Sequence, residues 1–121
     1  MDKNEYEMNS IFKKLKIPLK VNVYHISIFK TKDELITFIS NAIKRDHDLI
    51  VLLNSDVLND TQNNNGHACV IDRIYPTKNI VRVIDPSAGQ AKWREITLDK
   101  LIKAMSFHPA GNGRILKLFP R

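Results

Sequence analysis

The chain is poor in the residues that mark several classes of protein. Cys69 is the single cysteine among 121 residues, which excludes an internal disulfide and any cysteine-rich zinc site. No apolar run approaches the length of a membrane span, and the opening Met1-Asp2-Lys3-Asn4-Glu5 is too polar for a signal peptide. No membrane partner and a cytoplasmic location are therefore expected. Internal repeats, low-complexity linkers and signs of a second domain are also lacking, so residues 1–121 read as one domain, long enough to bury a core. His25, His47 and His108 bear no spacing relation to each other or to a pair of carboxylates, so neither a metal nor any other cofactor is expected.

What is present is an ordinary folding composition, 43% hydrophobic, with a net charge of +6. The charge is uneven. Residues 1–66 carry 9 Lys+Arg against 9 Asp+Glu, whereas residues 67–121 carry 10 against 4. A basic half attracts nucleic acid or acidic partners, but its cations do not interleave with aromatics as in a base-stacking platform. Nucleic acid is therefore a weak expectation, and a solvated basic surface the plainer one.

Hydrophobic periodicity divides the chain into elements. Met8, Ile11, Phe12 and Leu15 make one apolar stripe on a helix over 4–16, which Pro18 ends. Val21, Val23 and His25 alternate with polar neighbours as in a short strand. Thr31-Lys32-Asp33-Glu34 is a capping-box signature, opening a helix to about Arg45 that buries Leu35, Phe38, Ile39 and Ala42. Asp48 to Leu53 is apolar on both faces, the mark of a central strand. The polar, Asn-rich stretch from Asn54 to Asn65 reads as a flexible loop. Residues 67–75 and 80–85 read as a hairpin around the turn Pro76-Thr77-Lys78-Asn79. Pro86-Ser87-Ala88-Gly89 is a second turn, and Trp93 to Ile96 a further short strand. Thr97 caps a helix carrying Leu98, Leu101, Ile102 and Met105. Pro109 to Gly113 is a loop before a last strand with Ile115, Leu116, Leu118 and Phe119. Trp93 and Phe119 are expected in the core, and Asp72, beside Arg73, in a surface salt bridge. The sum is α+β: an antiparallel sheet packed with helices.

Gly66-His67 opens one strand of the hairpin and Asp85-Pro86 closes the other, so His67 and Asp85 lie near one end of it. An imidazole held by a carboxylate is a general-base arrangement. Cys69 is two positions along the strand from His67, about 6.5–7 Å away, too far for a thiol–imidazole contact of roughly 3 Å. It is expected in the core.

The stretches Gly66-His67-Ala68-Cys69-Val70-Ile71-Asp72 and Val83-Ile84-Asp85-Pro86-Ser87-Ala88-Gly89 resemble the second half of papain-like cysteine peptidases of the bacteriocin-leader-processing type. The order of elements over 20–119 is similar too. The resemblance implies that His67 is the general base and Asp85 the residue that orients it, with Asn64, Asn65, Gly66 and Ser87 lining a peptide cleft. In that family the nucleophilic cysteine heads an upstream helix, and a glutamine a few residues before it stabilises the oxyanion. This chain has no cysteine before position 69, and its glutamines, Gln62 and Gln90, lie in loops. The fold implied is the family's without its nucleophile helix. The function implied is a degenerate, peptide-binding domain. The alternatives are a thiol-dependent peptide hydrolase whose cysteine comes from an upstream segment or a partner chain, and a basic accessory protein that binds nucleic acid.

Overall fold

The computed structural model describes residues 3–59, 66–85, 93–108 and 113–120. Its elements follow in the order α1 (Lys3–Lys14), β1 (Leu19–His25), α2 (Lys32–Lys44), β2 (Asp48–Asn54), α3 (Ser55–Asn59), β3 (Gly66–Tyr75), β4 (Ile80–Ile84), β5 (Arg94–Thr97), α4 (Leu98–Ser106) and β6 (Arg114–Pro120). The strands form a six-stranded sheet in the order β1-β6-β2-β3-β4-β5, with every pair antiparallel. The architecture is α+β, and no helix among the described residues is long and apolar enough to cross a membrane.

One face of the sheet carries the core. Leu49, Val51 and Leu53 alternate along β2 with Cys69 and Ile71 beside them on β3, Val81 and Val83 on β4, Ile96 on β5 and Ile115 on β6, all buried. Strand alternation sends them to a common side, where they meet Leu35 and Ile39 of α2, Leu58 of α3 and Leu98, Leu101 and Met105 of α4 in one cluster. Burying each such side chain contributes about 1.5–3 kcal/mol. The other face, with Ile50, Leu52, Val70 and Leu116, is only half-buried, and Ile84 there is 37% exposed. β2 is central as expected, but its two faces are not covered alike.

Local chemistry sets the ends of the elements. Thr31 Oγ1 accepts from Glu34 N at 3.2 Å, and Glu34 reaches back one residue beyond the cap, accepting from Lys30 N at 2.9 Å. Thr97 Oγ1 accepts from Lys100 N at 3.1 Å at the head of α4. Between β3 and β4 the chain passes through a 3-10 turn, Pro76–Lys78, and the left-handed Asn79.

Several expectations change. The segment from Asn54 is not all loop: Asn54 ends β2 and Ser55–Asn59 form α3. Asn54 caps it, its Oδ1 accepting from Asp56 N at 2.9 Å while its Nδ2 donates to Phe107 O at 3.0 Å. Five residues are too few to show a helical period. Second, α1 forms, but Ile11 and Leu15 of its apolar stripe are exposed. The helix packs at the sheet edge, where Asn9 makes two 2.8 Å bonds to the N–H and C=O of Val21, and Glu5 accepts from Val23 N at 2.9 Å. These side chains close an edge that would otherwise present unpaired backbone groups. Third, Trp93 is not core: it is 55% exposed, with the Arg82 guanidinium 5.4 Å from its ring centroid. Asp72 forms the salt bridge expected of it, across the hairpin with Arg82, whose Nε donates to Asp72 Oδ2 at 2.6 Å. A bulge explains it: Ile71 pairs with Val83 but Arg73 with Arg82, so two residues of β3 oppose one of β4.

Candidate functional site

The register of three strands builds the site. Leu53 of β2 pairs with His67 and Val51 with Cys69, so both β3 side chains point to the core face. On the other side Val70 pairs with Ile84 and Ile71 with Val83. One more step along this ladder sets Asp85 across from Cys69 and diagonal to His67. Opposed residues of an antiparallel pair share a face, and their diagonal neighbours are within reach of long side chains.

His67 and Asp85 do meet. His67 Nε2 lies 2.7 Å from Asp85 Oδ1, with side-chain exposures of 20% and 2%. An ionised carboxylate only accepts, so the tautomer that suits this contact is the one in which Nε2 donates to Asp85 Oδ1. The acid is deep and the imidazole reaches toward the surface, the arrangement that orients a base without exposing its support. A buried carboxylate is costly unless bonded, so this contact also serves stability.

Cys69 is 1% exposed and belongs to the core, as expected. Burial, then the nearby Asp85 charge, push its thiol up from 9.0 to about 12, against an opposing pull from Arg94. The thiol is therefore protonated at neutral pH and is no nucleophile there. Its distance is a correction, however. The donor atoms of His67, Cys69 and Asp85 all lie within 4.8 Å of one another, closer than backbone spacing along a strand allows, because the side chains converge on one face.

Sequence reasoning missed two contributors. Arg94 of β5, opposite Val83, donates through Nη2 to Leu58 O at 2.9 Å and places a positive charge near Cys69. Asn54, opposite Gly66, ties α3 to the end of α4 beside the strand that carries His67. The Asn just before Ser55-Asp56 was a legible cap signal, whereas nothing local marks Arg94. Gly66 opens β3 and is exposed. Asn64, Asn65 and Ser87 lie outside the described residues.

No protein-family model matches this chain, and no curated protein matches it.

Proposed function

We propose that this is a cysteine-peptidase-like domain, of the papain-like kind, that keeps the His67/Asp85 pair and binds an extended peptide rather than cleaving it. The 2.7 Å contact between a partly exposed imidazole and a buried acid carries the reading. It is the support a general base needs. The antiparallel sheet with flanking helices is compatible with that kinship, and the buried, protonated Cys69 argues against hydrolysis by this thiol. A peptide would lie beside His67, held by backbone pairing and side-chain pockets.

An array of 12-residue peptides, with its best binder measured by fluorescence anisotropy, tests this. Saturable binding that weakens at least ~10-fold in both His67→Ala and Asp85→Asn is expected, a loss of about 1.4 kcal/mol. A thiol-directed peptidyl vinyl sulfone should leave the protein unlabelled. Binding indifferent to both substitutions would remove the reading.

The retained base favours one alternative. A thiol supplied by another chain, or by sequence beyond these residues, would use the His67 imidazole as its base and give acyl transfer or hydrolysis at a peptide bond. That reading predicts peptidase activity only when the second component is added, and its loss in His67→Ala.

A further inference from the structure

We infer that His67, Cys69 and Asp85 form a binding site for one divalent transition-metal ion, of which zinc is the best fit. This goes beyond the peptide-binding reading and does not depend on it. Among the described residues, these are the one group of three or more such side chains whose donor atoms come within 4.8 Å of one another. They supply one nitrogen, one sulfur and one oxygen, the donor types zinc accepts, and three protein ligands leave a fourth position for water.

Charge balance supports the site. A neutral imidazole, a thiolate and a carboxylate together carry two negative charges, which neutralise a dication in a place that is otherwise costly for any ion. The balance of the step is simple: the ion replaces the Cys69 thiol proton, which leaves to solvent, an S–metal bond forms, and no electrons are transferred. If Nε2 binds the ion, the imidazole proton moves to Nδ1. Burial keeps the thiol protonated in the metal-free protein, so the ion must bind tightly enough to displace that proton.

The geometry needs adjustment of a size side chains allow. Bonds of about 2.0–2.3 Å set tetrahedral donors roughly 3.3–3.7 Å apart. The 2.7 Å His67–Asp85 contact would open by about 0.6 Å and the widest separation close by about 1 Å. His67, with a fifth of its side chain exposed, is the ligand with room to move and the point of entry.

The test is titration of the full 121-residue chain with Co2+, followed by Zn2+ in competition with a chromophoric chelator. Expected are one equivalent of Co2+, a near-ultraviolet thiolate-to-cobalt band, and displacement of both by Zn2+. Cys69→Ala should abolish the band and weaken zinc binding more than ~100-fold, since even outer-shell partners cost 10–100-fold. Far-UV circular dichroism checks its fold. Should that variant not fold, loss of the band in His67→Ala replaces it. No stoichiometric binding, no thiolate band, or affinity unchanged in the variant read would each overturn the inference. Cys69→Ala leaves the His67/Asp85 pair in place, so it should still bind peptide. A failed metal site and a failed peptide site therefore give different results.

Discussion

Everything proposed for the site depends on His67 and Asp85 meeting in solution, and a double-mutant cycle measures that directly. Asp85→Ala removes one side of a charge-assisted hydrogen bond, worth about 1.5–3 kcal/mol. His67→Ala does something worse: it leaves a carboxylate only 2% exposed without its imidazole. Breaking a buried pair from one side typically costs about 3–5 kcal/mol. Asp85 has further interactions, so the lower end is expected. His67→Ala should therefore be the more destabilising single change. Once His67 is gone, removing Asp85 takes away a poorly supported charge and costs less than it does in the parent. The coupling energy from urea unfolding followed by far-UV circular dichroism should be about 1.5–3 kcal/mol. Additivity within about 0.5 kcal/mol would mean that the two groups do not interact, and the case for a base pair and its peptidase kinship would go with it.

The other predictions concern the scaffold. In metal-free native protein Cys69 should resist iodoacetamide at pH 8 and react only on unfolding; rapid native labelling would contradict its burial. Its thiol is held up at about 12 against 9.0, so the folded state keeps a proton that the unfolded chain releases. That contribution is complete below pH 9 and falls by about 1.4 kcal/mol per unit as pH rises toward 12. Cys69→Ala should flatten this limb of the stability curve, and an unchanged limb would refute the assignment. Asn9→Ala frees the backbone N–H and C=O of Val21. It should cost about 1–2 kcal/mol and speed amide exchange at Val21 while sparing Val23, which Glu5 holds. Gly113→Ala would drive a methyl to 2.7 Å from Leu52 O and against Met105 O. A loss of about 1–3 kcal/mol is expected by urea midpoint, and a neutral outcome would show that this approach relaxes freely.

Most elements were legible because their signals are local. Thr31 and Thr97 announce α2 and α4 by cap chemistry that needs only three following residues. The apolar run of β2 and the turn between β3 and β4 are equally short-range. α3 escaped because it is a single short turn, too brief to show a helical period. Trp93 was misplaced because size alone does not tell whether a residue just ahead of a strand meets the core. The salt bridge of Asp72 was expected, but its partner Arg82 was not legible, because a bulge is a mismatch between two strands and leaves no mark in either.

By itself, the order of residues determined that two hairpin strands would bring an imidazole and an acid to one end, since alternation and turn chemistry act over a few bonds. It could not determine that β6 would insert between β1 and β2, that α1 would seal an edge with Asn9 and Glu5, or that Arg94 would place its charge near Cys69. Those depend on pairing between segments far apart in the chain. There the winning arrangement is the one that buries the most apolar surface with its polar groups satisfied, a condition that exists only once the whole sheet has assembled.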